Sequence, residues 1–238
     1  MKNHKTPDSA YIQSMFNQLA GRYDLFNHLV SFGMASLWRT KTLEPLRPGM
    51  RMLDLGCGTG DLALEAFRKY GSGVEIVGVD FSARMLDFAR RRAEKLGVNG
   101  QGSLRFVLKK AEELPIENEP YDLVVSGFVL RNLYENIDSI LKGVRRSLKE
   151  GGAVSFLDIT EPENSALRFF WKIYMNTLGA LYGKILFGRD YPVFYLTESA
   201  RRFPRAKDFA KKLEISGFLE VRAKPFMFGI VTLYRAVK

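Results

Sequence analysis

Between residues 11 and 43 the apolar positions Met15, Leu19, Tyr23, Phe26, Leu29 and Val30 return at the interval that stacks side chains on one face of a helix. The spacing predicts helices ahead of the main fold, after a polar, mobile start over residues 1–10 that contains Pro7. Pro45, Pro48 and Gly49 break that rhythm, and Met50 to Leu55 is the first short apolar run. Asp61 to Tyr70 has helical spacing and is closed by the turn Gly71-Ser72-Gly73. Val74 to Val79 is rich in β-branched residues, as a strand buried on both faces requires.

The alternation continues with a helix over Ala83 to Leu96, strands over Leu104 to Leu108 and Tyr121 to Ser126, a helix over Ile137 to Leu148 and a strand over Ala153 to Ile159, entered through Gly151-Gly152. Strands separated by helices imply a parallel sheet covered on both faces. The pattern changes between Pro162 and Pro204. There Trp171, Tyr174, Leu178, Leu181, Tyr182 and Ile185 predict an inserted amphipathic helix followed by an aromatic loop, read as a lid. A helix over Ala206 to Ser216 precedes a strand from Phe218 and a last strand over Ile230 to Ala236. Their connection is too short for a helical crossover, which predicts an antiparallel pair. The expectation is a single α/β domain with a doubly wound, mostly parallel, seven-stranded sheet. Its parts are an N-terminal helical cap (1–44), a core (45–161), the lid (162–204) and a C-terminal helix with the strand pair (205–238).

Composition adds limits. With 238 residues, 46% of them hydrophobic and 26% charged, the chain suits one ordinary globular core. A single cysteine, Cys57, cannot form an intramolecular disulfide, and no basic flank with an apolar run opens the chain, so the cytoplasm is the expected compartment. The net charge of +10 favours an anionic partner, either nucleic acid or a membrane surface. The most apolar stretch, Ala166 to Gly188, is interrupted by Arg168, Lys172 and Lys184. That argues against a membrane span and leaves binding at a membrane surface open. One Cys with only His4 and His28 gives no ligand spacing for a transition metal.

The chemistry concentrates in Asp54-Leu55-Gly56-Cys57-Gly58-Thr59-Gly60, which follows a predicted strand and opens a helix. Glycines at alternating positions permit a tight turn and let a ligand approach the backbone. Asp80 stands at the end of the next strand, where an acid holds ribose hydroxyls. Dinucleotide folds use Gly-x-Gly-x-x-Gly; here the spacing is tighter, and Asp54 would repel a pyrophosphate but suits a sulfonium or an amino group. The run resembles the first motif of class I S-adenosylmethionine-dependent methyltransferases, with a Rossmann-like fold.

A narrower resemblance covers nearly the whole chain, cap and lid included. Tyr23-Asp24, Asn27-His28, Gly33, Trp38-Arg39, the glycine loop through Asp61, Gly78 to Leu86, Leu130-Arg131-Asn132, Tyr195 to Ser199 and Phe203-Pro204 together resemble the C-methyltransferases of menaquinone and ubiquinone biosynthesis. The resemblance implies methylation of a ring carbon of a polyprenylated quinol by S-adenosyl-L-methionine, which leaves as S-adenosyl-L-homocysteine, without a metal. The implied cofactor contacts are Asp54, Gly56, Gly58, Thr59, Gly60, Asp80, Phe81, Met85, Lys110, Ala111 and Gly127. Tyr23 and Tyr195 would contact substrate, and Arg131, Asn132, His28 and Asp24 would serve catalysis. Such an enzyme is expected at the inner face of an anionic membrane, with a homodimer left open.

Two features depart from the family. Lys110 stands where an acid or Asn is usual, and a lysine side chain cannot accept a hydrogen bond from adenine; Glu112 or a backbone carbonyl would have to serve. In Ser126-Gly127-Phe128-Val129-Leu130-Arg131-Asn132, where the family often has Ser-Phe-Gly-Leu-Arg-Asn, the serine is displaced by one position and Gly127 takes its place. Blander roles stand beside each assignment: Asp54 or Asp80 as a helix cap, although Ser82 caps equally well, Arg131 in a surface ion pair with Glu135, Cys57 as a small filler, and the aromatics Phe169 to Tyr182 as core. A nucleic-acid methyltransferase accounts for the charge, but no Asn/Asp-Pro-Pro-Tyr-like segment occurs. A non-catalytic cofactor-binding subunit is the other alternative, opposed by the intact acids and glycines.

Overall fold

The computed structural model describes residues 23–98, 103–115, 117–187 and 195–238, with the side chains of 23, 24, 187 and 195–197 left aside. The helical reading of residues 11–22 lies outside them. The strands are β1 (Arg51–Leu55), β2 (Glu75–Asp80), β3 (Leu104–Leu108), β4 (Tyr121–Gly127), β5 (Leu148–Ile159), β6 (Leu219–Phe226) and β7 (Val231–Val237). The helices are α1 (Tyr23–Val30), α2 (Met34–Thr42), α3 (Asp61–Tyr70), α4 (Ala83–Glu94), α5 (Ile137–Ser147), α6 (Ser165–Tyr174), α7 (Ala180–Phe187), α8 (Tyr195–Arg202) and α9 (Ala206–Ile215).

One sheet holds all these strands in the order β3-β2-β1-β4-β5-β7-β6. β1 pairs in parallel with β2 and β4, β2 with β3, and β4 with β5; β7 runs antiparallel to both β5 and β6. Strand alternation sends side chains to two cores. Leu53, Val77, Val124 and Phe156 pack on one face with Ile140 and Leu141 of α5 and Phe209 of α9. Met52, Ile76, Leu123 and Val125 pack on the other with Leu62, Ala63 and Ala66 of α3. Burying each such aliphatic side chain is worth about 1.5–3 kcal/mol.

Ahead of β1, α2 lies against the far part of the same sheet, while α1 packs on α2 and α7. Ala35 and Trp38 of α2 pack on Leu157, Val231 and Leu233. The Trp38 ring stacks on Phe226 and meets Phe128 edge-on, each 6.4 Å between centroids. At the amino ends of the parallel strands, Glu117 accepts from Arg105 at 2.5 Å, from Arg51 and from the Tyr121 hydroxyl at 3.1 Å, while Glu75 bridges the same two arginines. Burial alone would raise the Glu117 carboxyl, yet Arg105 and Arg51 together hold it below the usual carboxylate range.

The structure differs from the sequence reading in two places. β5 begins at Leu148, directly after α5, so Gly151-Gly152 lies inside the strand as an irregularity. A Cβ on Gly152 would meet the Lys149 carbonyl at 2.9 Å and the Tyr121 carbonyl at 3.2 Å, which is why the tight bend can form there. The stretch read as an aromatic loop contains a helix, α8, whose Ala200 is buried against Trp171 and Met175; residues 188–194 of that loop lie outside the described residues. The predicted antiparallel pair is present, with β7 beside β5: the chain passes that place to form β6 and returns to it through the turn at 227–229.

Candidate active site

Strand order reverses between β1 and β4, so the carboxyl ends of those strands flank a crevice, the place where open α/β sheets bind ligands. The glycine loop, Asp80 and the segment after β4 all leave the sheet at this edge.

The loop Gly56–Gly60 is held by Cys57 N–H donating to the Val79 carbonyl at 2.9 Å and Gly60 N–H donating to Cys57 at 2.8 Å. Gly60, at φ +85°, is packed on Ala89 and Phe106, whereas a Cβ on Gly58 would meet nothing within 4 Å. Gly58 is therefore the open point at which a ligand can reach the backbone. Thr59 is buried, and its carbonyl accepts from Arg92 at 3.0 Å. Cys57 is buried beside Gly78, and burial pushes its thiol well above the ordinary range. Such a thiol is held in its protonated form and fills space beneath the loop.

Asp80 accepts from Gly58 N–H and from Ser82 N–H, each at 2.9 Å, one on each carboxylate oxygen. Burial raises its pKa against these two donors and the Phe81 N–H. A carboxylate offers about four lone-pair sites, so with three N–H donors in place Asp80 can still accept from a ribose hydroxyl. Ser82 caps α4 by accepting from Met85 N–H at 3.1 Å, which leaves Asp80 to the loop; Met85 is buried and Phe81 partly so. Asp54 is almost wholly buried and caps α3, accepting from Ala63 N–H at 3.1 Å. Burial pushes its carboxyl up to about 7, against that N–H and with the added repulsion of Asp61 and Asp80. The capping role and a role toward a cationic ligand thus coexist at Asp54.

Lys110 is exposed, and its backbone is engaged: N–H donates to the Glu113 carboxylate at 3.2 Å, and the carbonyl accepts from Glu113 N–H at 3.1 Å. Buried Ala111 opens the following turn. Glu112, the alternative adenine partner, accepts from the Asn136 amide at 2.9 Å.

After Gly127, at the end of β4, Phe128 takes φ +63°, and its N–H donates to Leu157 of β5 at 2.7 Å. Arg131 is buried and ion-paired with Asp158 at 2.7 Å, with a second bond to the Phe128 carbonyl at 2.5 Å. Asp158 also accepts from Arg131 N–H at 3.0 Å. The sequence alternative of a surface pair with Glu135 is corrected: the carboxylate belongs to β5, one strand away. Asn132 is half-buried, its N–H donating to Val129 at 2.8 Å. His28 lies exposed on α1, its ring 3.2 Å from the place of a Gly33 Cβ. The side chains of Tyr23, Asp24 and Tyr195 lie outside the described residues.

Four residues beyond the sequence-based set, Arg39, Asp61, Arg92 and Asp158, complete the geometry. Asp61 bonds Arg39 of α2 at 2.5 Å and Arg92 of α4 at 2.8 Å, so one carboxylate latches the N-terminal helices and α4 to the glycine loop. Trp38-Arg39 and Asp61 both stand in the family segments, but nothing in the sequence says that they meet. Asp158 likewise gave no signal, being one more residue of an apolar strand.

An open glycine backbone, a ribose-spaced carboxylate and a buried acid suited to a cation together fit S-adenosylmethionine. Asp80, Gly58 and Asp54 would hold it. Fold and site define a class I S-adenosylmethionine-dependent methyltransferase. The family can be stated more narrowly: this chain belongs to the ubiE/COQ5 methyltransferase family, whose model matches residues 4–238. A demethylmenaquinone methyltransferase of Bacillus cytotoxicus is 32% identical over 230 residues, 95% of each chain. Among solved structures, an S-adenosylmethionine-dependent methyltransferase from Thermotoga maritima superposes with a TM-score of 0.65 at 20% identity, covering 95% of this chain and 99% of that one. The [4+2]-cyclase SpnF superposes with a TM-score of 0.62 at 16% identity, over 98% and 97%. At these identities the structural likenesses establish the fold alone, and a cyclase among them illustrates that fold does not dictate chemistry.

Proposed function

We propose that this chain methylates a ring carbon of a polyprenylated quinol, converting demethylmenaquinol to menaquinol. The observation that carries the reading is full-length kinship with demethylmenaquinone methyltransferases, spanning the N-terminal helices and residues 162–204 as well as the cofactor core. When bound, the cofactor supplies an electrophilic methyl group on a sulfonium.

The protein must favour the quinol's phenolate, whose charge delocalises onto the attacking carbon. Asn132 orients the ring oxygen and Arg131 supplies positive charge at the turn, with Asp158 fixing the guanidinium. His28 is the first candidate for the proton acceptor and Asp24 the second, while Tyr23 and Tyr195 contact the substrate. Lys110 and Ala111 border the adenine.

The substrate's prenyl tail resides in lipid, and the molecule carries a matching surface. Phe169, Phe170, Ile185, Phe32 and Phe228 are each 61–82% exposed. Two of the segments that carry them are fixed near the carboxyl end of β5: the Phe32 ring lies 5.6 Å from Tyr174, which packs in one cluster with Ile159, and Thr160 just beyond β5 bonds the Gly229 carbonyl at 2.8 Å. No helix among the described residues is long and apolar enough to cross a membrane. With a net charge of +10, the reading is peripheral binding to the anionic inner face of a membrane.

Incubation with labelled S-adenosylmethionine and either reduced demethylmenaquinone or bulk tRNA tests the reading. Label in the quinol is expected; label in tRNA alone overturns it.

A further inference from the structure

Gly56 is the one glycine of the cofactor loop whose missing side chain is replaced by a residue from across the crevice. A Cβ built on Gly56 would lie 2.5 Å and 2.8 Å from the two methyl groups of Val129 and 3.1 Å from its Cβ. These are overlaps with a stiff, β-branched side chain, which cannot swing aside as a long flexible one would. Gly58, by contrast, faces open space, and Gly60 is packed on Ala89 and Phe106.

Val129 stands at the head of the turn Leu130–Asn132, and it is half-buried. That turn is secured to β5 by Phe128 N–H on the Leu157 carbonyl and by Arg131 on Asp158. Neither of those bonds reaches β1. The valine seated on Gly56 is a contact joining the turn to the cofactor loop, across the place where a methyl donor and an acceptor ring must meet. Methyl transfer is sensitive to that distance, since misplacement by about 1 Å can cost roughly 10²-fold in rate.

We propose that Gly56 and Val129 form a matched pair, with Val129 a positioning residue that sets the separation between the cofactor loop and the Arg131-Asn132 turn. Gly56 is then required for two reasons: its φ of +68° and the space that Val129 occupies. The second makes the two positions energetically coupled.

A double-mutant cycle on the full chain separates these reasons. Cofactor affinity, read by calorimetry, rests only on the methyltransferase class; turnover with reduced demethylmenaquinone rests in addition on the quinol reading. Gly56→Ala is expected to weaken cofactor binding at least thirtyfold, and Val129→Ala at most threefold. In the Val129→Ala background the Gly56→Ala loss should shrink at least tenfold, the remainder reflecting the positive φ and the tight contact with the Cβ that alanine retains. Val129→Ala alone should lower kcat about tenfold at saturating substrates with the melting temperature nearly unchanged, a split that a merely structural residue would not produce. Should Gly56→Ala fail to fold, the double variant is expected to fold and bind, which supports the pair by itself. Equal losses from Gly56→Ala in both backgrounds, or a double variant as defective as the single one, would overturn the proposal. If the cycle shows coupling but no quinol is methylated by the unaltered protein, the pair stands and the substrate reading fails.

Discussion

Asp54 of β1 and Asp80 of β2 flank the same glycine loop but differ in what a bound cofactor would do to them. The Asp54 carboxyl, pushed up to about 7 by burial, is only partly ionised near neutrality in the free protein, and a cation beside it would favour the anion. Binding should therefore release a proton, and affinity for S-adenosylmethionine should rise roughly tenfold between about pH 6 and about pH 8. Asp54→Asn should flatten that rise in a calorimetric titration. The raised pKa also means that the free protein loses stability as pH climbs from the unfolded carboxylate value through about 7. Asp54→Asn should accordingly melt a few degrees higher than the unaltered protein at the upper end of that window. Asp80→Ala should weaken binding at least tenfold, about 1.4 kcal/mol, because a ribose hydroxyl loses a charged acceptor. Unchanged affinity would remove Asp80 from the site.

At the same scale, the buried pair of Arg131 with Asp158 alters how the proposed catalytic role of Arg131 can be tested. Arg131→Met would strand Asp158 without its cation, at a cost of about 3–5 kcal/mol, so lost activity would be confounded with lost fold. Asn132→Ala is the cleaner probe. It should lower kcat roughly tenfold or more while cofactor affinity stays within threefold. His28→Ala should slow turnover and move its pH profile upward; an unchanged profile would return His28 to a purely structural place on α1.

Among the elements, the ion cluster at the amino ends of β1, β2 and β3 ties three neighbouring strands through Glu75 and Glu117. Glu117 is held below its usual pKa range, so its stabilisation is present at neutral pH and disappears as pH falls through the lowered value. Glu117→Gln should cost about 2 kcal/mol at neutral pH and blunt the acid sensitivity of melting. Equal melting curves at both pH values would show that the cluster is a surface ornament. The strands it joins were readable in the sequence because each is a short apolar run bounded by turn residues, as Glu75–Asp80 and Leu104–Leu108 illustrate. α8 was hidden because its amphipathic pattern, with Glu198, Arg201 and Arg202 exposed or half-buried, becomes visible only when Trp171 is known to receive Ala200. The glycine loop and Asp80 were legible as a site since their spacing is local. The Arg131 pair with Asp158 and the Arg39 latch to Asp61 were not, since each joins residues brought together only by the sheet.

For the whole molecule, exposed aromatic groups and positive charge lie on a protein whose proposed substrate dissolves in lipid. Anionic vesicles should float more of the protein than neutral ones, and the difference should shrink as salt rises. Replacing both Phe169 and Phe170 by Ser should reduce binding at every salt concentration, because that contribution is apolar. Equal recovery from anionic and neutral vesicles would remove the electrostatic part of the account.

The central claim is transfer of a methyl group to carbon rather than to oxygen or nitrogen, and the fold, shared with a cyclase, cannot make that choice. The most direct measurement is the carbon NMR spectrum of the product made from S-adenosylmethionine carrying a labelled methyl carbon and reduced demethylmenaquinone. One labelled methyl resonance is expected at the position of a methyl group bonded to a quinone ring carbon, and it should be much weaker when Asp80→Ala replaces the unaltered protein at low cofactor concentration. A labelled resonance at the position of a methoxy group, or label that never leaves the cofactor, would contradict it.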